Sequence, residues 1–98
     1  MSNSIYTSSS FFNSLRLLTL YVKQHRKTKL KYLGVTSRDI DTYEGSGTKW
    51  LEHLQKYGND VRTIILFQTW NPVELATVAN RKSKELNVVK RTDYANRM

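Results

Sequence analysis

Ten residues separate Tyr21 from Tyr32, and between them lies the basic, turn-like stretch His25-Arg26-Lys27-Thr28-Lys29. Leu20-Tyr21-Val22 closes one apolar run, and Lys31-Tyr32-Leu33-Gly34 ends the next. Two short strands joined by such a turn would carry both phenols to one surface. Phenols beside cations suit a phosphodiester, whose transition state needs a poised nucleophile and positive charge at the developing anion. His25 has the pKa class for proton transfer or phosphate contact near neutrality, and the cations Lys23 and Arg26 favour its neutral form. Further on, Lys49, His53 and Lys56 fall at i, i+4 and i+7, so a helix there puts them on one face, where they could approach the same phosphate.

The elements that would hold these groups follow from periodicity and turn chemistry. Residues 15–23 are apolar and their second half reads as a strand; residues 29–36 alternate loosely and read as its antiparallel partner. Residues 37–47 hold Asp39, Asp41, Glu44 and Gly45-Ser46-Gly47, the composition of a loop, with Arg38 as a cation near its start. Thr48 is expected to cap a helix running to about Tyr57, ended by Gly58, with Trp50, Leu51, Leu54 and Tyr57 facing the core. Residues 61–67 are β-branched and apolar, the pattern of a third strand at the buried centre of a sheet. Asn71 and Pro72 open a second helix with Glu74 as the acid of a capping box; Leu75, Val78 and Ala79 form its buried stripe, to about Glu85. Residues 86–89 read as a short extended segment. The fold class is therefore α+β, a small antiparallel three-stranded sheet flanked by helices in the order β-β-α-β-α. A serine-rich flexible arm is expected over residues 1–13 and one domain over 14–98.

Composition narrows the partners. Sixteen Lys and Arg against eight Asp and Glu leave a net charge of +8, which points to a polyanion, nucleic acid before an anionic membrane surface. Lys23, Arg26, Lys27, Lys29, Lys31, Arg38 and Lys56 are the candidate phosphate contacts. The absence of cysteine excludes disulfides and thiolate metal sites and fits a reducing cytoplasm, while two histidines are too few for zinc unless carboxylates complete the set. No apolar stretch reaches the about 18 residues of a membrane span, and residues 11–18 lack the features of a signal peptide.

Paired tyrosines in a hairpin, the second followed by an apolar residue and glycine, resemble the GIY-YIG nuclease domain. Thr19-Leu20-Tyr21 stands where its first motif belongs and Tyr32-Leu33-Gly34 where its second does. The wider pattern is similar to small phage-encoded homing-endonuclease-like proteins of that fold. It includes Leu20-Tyr21-Val22-Lys23 with His25, Tyr43-Glu44-Gly45-Ser46-Gly47 with Trp50 and His53, Tyr57-Gly58, Asp60-Val61 with Thr63, and Tyr94-Ala95-Asn96. The resemblance implies hydrolysis of a DNA strand with Mg²⁺ or Mn²⁺: a hairpin tyrosine activates or positions water, an arginine on the first helix stabilises the phosphate, and a glutamate on the next helix binds the metal. Here Lys49 stands near the arginine position, keeping the charge without the bidentate fork. No acid occurs over residues 77–80, where the glutamate belongs, which leaves Glu74 as the metal-ligand candidate.

The catalytic candidates are thus Tyr21, Tyr32, His25, Lys49 and His53. Two functions follow from the resemblance: a divalent-metal-dependent DNA endonuclease, or a catalytically inactive protein of the same fold that binds DNA or RNA, DNA before RNA. A phage-type regulatory or inhibitory factor that binds a host protein is a third, from another class. The expected location is the cytoplasm, that of the host cell if the chain is phage-encoded.

Overall fold

A computed structural model describes residues 16–96. The expected arm of residues 1–13 lies outside the described residues. Strand β1, Leu18–His25, is central; β2, Lys31–Thr36, and β3, Val61–Thr69, pair with it antiparallel on either side, in the order β2-β1-β3. Helix α1, Thr48–Tyr57, follows β2, and helix α2, Pro72–Leu86, follows β3. The α+β class and the β-β-α-β-α order are those the sequence predicts.

The third strand is not the centre of the sheet. The β1–β2 turn is tight, with the His25 amide donating to the Leu30 carbonyl, so β2 takes one edge of β1 and leaves the other to β3. β3 is therefore an edge strand, and Ile65 remains 48% exposed. The β1–β3 register shifts between Leu20 and Tyr21, which face Phe67 and Ile65, so Leu66 is the extra residue of a bulge.

Strand alternation divides the interior into two layers. Leu20, Val22 and Leu33 point to one face and pack with Leu75, Val88 and Tyr94, flanked by Ile64, Phe67, Val78 and Ala79. Full burial of a valine or leucine side chain, as at Leu20 and Val22, contributes about 1.5–3 kcal/mol. Tyr21, Lys23 and His25 point to the other face, as does Tyr32, which packs with Leu30 and Val61 against the cluster Trp50, Leu54 and Ala95. The expected core stripe of α1 holds for Trp50 and Leu54 only; Leu51 is 40% and Tyr57 48% exposed.

Local chemistry explains most helix ends. Gly47, not Thr48, is the cap of α1; its backbone is extended and no side chain bonds the first turn. Gly58 closes α1 at φ 87°, and its amide donates to the Leu54 carbonyl. The Asn71 side chain accepts from the Val73 and Glu74 amides, and Pro72 lies in the first turn of α2. Residues 86–89 are not extended. Asn87 adopts a left-handed conformation that ends α2, and the turn after it returns Val88 to the core.

The outer edge of β2 is closed by the C-terminal segment. The Lys31 amide donates to the Asp93 carbonyl, the Ala95 amide donates to the Lys31 carbonyl, and Lys31 and Tyr94 form a parallel bridge. Asn96 continues it with its side chain, Nδ2 donating to the Leu33 carbonyl (2.7 Å) and Oδ1 accepting from the Leu33 amide (2.9 Å). These bonds satisfy an edge that would otherwise present unpaired donors and acceptors. Arg91 anchors the segment by bonding both carboxylate oxygens of Asp93, which, helped by Lys31, holds that acid at a pKa of about 2. Among the described residues no helix is long and apolar enough to cross a membrane.

Candidate functional site

The tyrosine pair lies on the α1 face of the sheet. Tyr21 sits opposite Gly34 across the β1–β2 ladder, and its ring centroid is 6.3 Å from those of both Tyr32 and Tyr43. A Cβ at position 34 would collide with the Tyr21 hydroxyl and lie 2.8 Å from Tyr32 Cε2, so glycine there is a packing requirement. Tyr21 is fully buried, and its hydroxyl has no hydrogen-bond partner among the described residues. Burial, reinforced by Tyr32 and Tyr43, pushes its pKa well above the usual phenol value. A phenol so placed holds its proton firmly and has no contact with solvent.

Tyr32 stands at the surface of this layer. Its ring stacks on Trp50 at 6.0 Å and 14°, and a Cβ at Gly47 would lie 2.5 Å from its Cε1. Trp50 is fully buried, with its indole N–H donating to the Glu44 carbonyl at 2.7 Å. The stack continues along α1: Trp50 to His53 at 6.2 Å and 13°, then His53 to Tyr57 at 4.6 Å. An aromatic column thus runs from the hairpin to the end of the helix.

The two histidines have different situations. His25 is fully buried; Nδ1 accepts from the Lys27 and Thr28 amides, and Nε2 lies 3.1 Å from the Gly58 carbonyl. Since Nδ1 is the acceptor, the proton belongs on Nε2, donated to Gly58. Nδ1 serves the β1–β2 turn and Nε2 ties it to the end of α1, so both nitrogens are engaged within the protein. His53 contacts His25 edge-on at 5.3 Å, and its Nε2 is 2.7 Å from Thr28 Oγ1. Desolvation, then His25 and Lys56, lowers the His53 pKa.

The cations separate in the same way. Lys27 and Lys29 are exposed in the turn, and Lys49 and Lys56 on α1; none of the four makes an ion pair among the described residues. The Thr28–His53 hydrogen bond joins these two groups into one surface. Arg26 pairs with Asp60 at 3.3 Å and Lys31 with Asp93 at 3.2 Å. Arg38 lies over the Tyr43 ring on the loop. Lys23 is withdrawn from this surface: it is 5% exposed, and its ammonium donates to the Ile40 carbonyl and Thr63 Oγ1.

Two hollows that share Tyr32 and Asn96 form a groove along the β2 edge. One, about 490 Å³, is lined by Tyr32, Gly47, Thr48, Lys49, Glu52, Ala95 and Asn96. The other, about 270 Å³, includes Gly34, Ser46, Ala79 and Ser83. The first opens at the N-terminus of α1, which has neither a side-chain cap nor an acid in its first turn, so its amides and Lys49 favour an anion against the opposing charge of Glu52 on the same lining.

Of the residues lining the groove, Glu52 alone carries a carboxylate. Where α2 borders the groove it offers Ala79 and Ser83, neither a carboxylate. Glu74 lies five residues before Ala79, about 7.5 Å along the helix axis and about 140° around it. Its carboxylate accepts from the Thr69 hydroxyl at 2.6 Å, and the Asn71 amide donates to Thr69 Oγ1 and not to Glu74, so the expected capping box does not form and Thr69 takes the place of the acid. Among the described residues no three His, Asp or Glu side chains are gathered to hold a metal.

The site contains features that residue types did not reveal. Thr28 reads as a turn residue until its bond to His53 is seen. The Asn96 side chain completes the groove through a contact across 63 positions of sequence, for which no local signal exists. Among known proteins, no family model, no curated protein and no solved structure matches this chain.

Proposed function

We propose that this chain binds nucleic acid through the surface shared by the β1–β2 turn and α1, with the groove beside Tyr32 as a phosphate seat, and that it binds without cutting the strand. The observation that carries the proposal is the grouping of Lys27, Lys29, Lys49 and Lys56 around the Thr28–His53 bond, all without carboxylate partners, in a chain of net charge +8. Phosphate binding needs cations arranged along a path and releases counterions on contact. Lys49 and the free amides of the first turn of α1 supply charge and donors at the groove itself. DNA is the partner favoured by the resemblance to nuclease domains, and the cytoplasm is the compartment that fits a chain without cysteine.

A metal-dependent nuclease is the second reading, favoured by the contact of Tyr21 and Tyr32 beside Gly34. The buried, partnerless phenol of Tyr21 and the alanine and serine on α2 weigh against it. One experiment separates the two: fluorescence anisotropy with a labelled duplex at low salt, beside plasmid incubation with Mg²⁺ or Mn²⁺. The proposal expects binding and intact supercoiled plasmid. Nicking that is lost in Tyr32→Phe would establish the nuclease. Absence of both binding and nicking would remove both readings and leave the surface to a host-protein partner.

A further inference from the structure

A second concavity lies on the α1 face of the sheet and shares no lining residue with the Tyr32 groove. It encloses about 230 Å³ between the loop carrying Asp41, Tyr43 and Glu44, the α1 residue Leu54, Asn59, and β3. Its size falls below the ~300–1,000 Å³ of a site for a drug-sized molecule, which is space for one flat heterocycle. A shallower hollow of about 350 Å³ continues from it past Glu44, Leu54 and Asn59.

Lys23 borders this pocket from the sheet. An ammonium has three hydrogens to donate. The Ile40 carbonyl at 3.2 Å and Thr63 Oγ1 at 2.7 Å accept two; the Tyr21 ring centroid lies 5.8 Å from the ammonium, and no nitrogen or oxygen among the described residues accepts the third. Lys23 is 95% removed from solvent, and this burial depresses its pKa against the opposing pull of Asp41 and Glu44. Those two carboxylates are exposed at the pocket rim and accept no side-chain hydrogen bond. The pocket therefore presents one spare donor and two unoccupied acceptors, with Tyr43 and Leu54 as apolar walls. Its formal charge, one cation against two anions, repels phosphate.

We propose that this pocket takes a guanine base, its carbonyl oxygen accepting from Lys23 and its adjacent ring N–H and exocyclic amine donating to Asp41 or Glu44. Guanine alone among the common bases sets two neighbouring donors beside a carbonyl acceptor. Adenine and cytosine pair one exocyclic donor with a ring acceptor, and thymine and uracil carry one N–H between two carbonyls. Lysine to the guanine carbonyl is a recurrent base contact, and carboxylates accept from base amines. The base can belong to a strand or to a free nucleoside. The strand form rests on the nucleic-acid-binding proposal above and would make that binding selective; the nucleoside form stands without it.

The test uses the full chain in two arms. Guanosine, adenosine, cytidine and thymidine, which lack phosphate, are titrated by NMR while the Lys23 side-chain and Thr63 signals are followed. Labelled single-stranded DNAs with one guanine in a thymine background are compared with all-thymine DNA by anisotropy. Guanosine alone should move the Lys23 and Thr63 signals. The guanine-containing strand should bind about tenfold more tightly than all-thymine DNA, a discrimination of the size one bidentate contact gives. The double variant Asp41→Asn, Glu44→Gln should lose that preference while keeping or increasing affinity for all-thymine DNA. Guanosine binding without any strand binding would support the pocket as a nucleoside site and end the strand proposal. Strands bound equally whatever their bases, with guanosine leaving Lys23 unmoved, would overturn the pocket and leave nucleic-acid binding intact. No response in either arm would overturn both.

Discussion

Strand β1 serves two layers at once, and successive residues do different work. Leu20 and Val22 enter an aliphatic cluster closed by α2, where contact area is the whole interaction. Tyr21, Lys23 and His25 enter a layer closed by α1 and its loop, where almost every polar atom is bonded: both nitrogens of His25 and two hydrogens of Lys23 are engaged within the protein. The aliphatic layer contributes stability through burial and tolerates exchange of similar volumes. The polar layer contributes position: it fixes the turn bearing Lys27 and Lys29 against the helix bearing Lys49 and Lys56. The Tyr21 hydroxyl, a buried donor without a partner among the described residues, and the third hydrogen of Lys23 are left over.

The contrast can be broken from either side. The largest effect is expected for Leu20→Ala, a truncation in the aliphatic cluster, at about 2–5 kcal/mol in denaturant unfolding. A loss below 1 kcal/mol would mean that the α2 layer is not the stabilising one. Gly34→Ala drives a methyl into Tyr21 and Tyr32, and about 1–3 kcal/mol should be lost, with near-ultraviolet circular dichroism changed by the displaced rings. An unchanged spectrum would show that the tyrosines are not packed over that glycine.

Smaller effects sharpen the polar side. His53 has a depressed pKa in the folded protein, so the unfolded chain takes up its proton first as the solution is acidified. Its contribution is fully present above the ordinary histidine pKa of about 6.5 and is lost as pH falls through the lower folded value. His53→Gln should flatten the fall of Tm over that window by a modest amount, since the ring is partly exposed; an identical slope would place the titration elsewhere. The smallest change is expected for Tyr21→Phe. Removing a hydroxyl that has no partner should leave stability unchanged or raise it by up to about 1 kcal/mol, and nucleic-acid affinity should not change. A loss of 2 kcal/mol or more would reveal a bond to that oxygen.

How far the chain could be read depended on the range of each signal. Helix α1 was legible because Trp50 and Leu54 repeat at helical spacing and glycines bracket the segment. The start of α2 was legible from Asn71 and Pro72, whose capping chemistry is local. The hairpin was visible in the tyrosine spacing and the basic turn. The place of β3 was not, because the run of residues 64–67 is apolar on both faces whether a strand is central or at an edge beside a bulge. Nor was the division among the charged residues. Lys23 and Lys27 are both lysines in a basic stretch, yet one is buried between Ile40 and Thr63 and the other is exposed, a difference set by strand alternation and by partners 17 and 40 positions away. The groove escaped for the same reason, since Asn96 reaches Leu33 only after the chain has folded.

Nucleic-acid binding as proposed requires the turn and α1 to form one phosphate-binding surface. The direct measurement is the salt dependence of duplex binding for the natural chain and for a variant with Lys27, Lys29, Lys49 and Lys56 each changed to glutamine, both checked for the same circular dichroism. If all four contact phosphates, the slope of log K against log salt should be reduced in magnitude by about 3–4 in the variant, and binding at low salt should weaken by orders of magnitude. Equal slopes and affinities for the two proteins would contradict the account and place the nucleic-acid contact elsewhere on the chain.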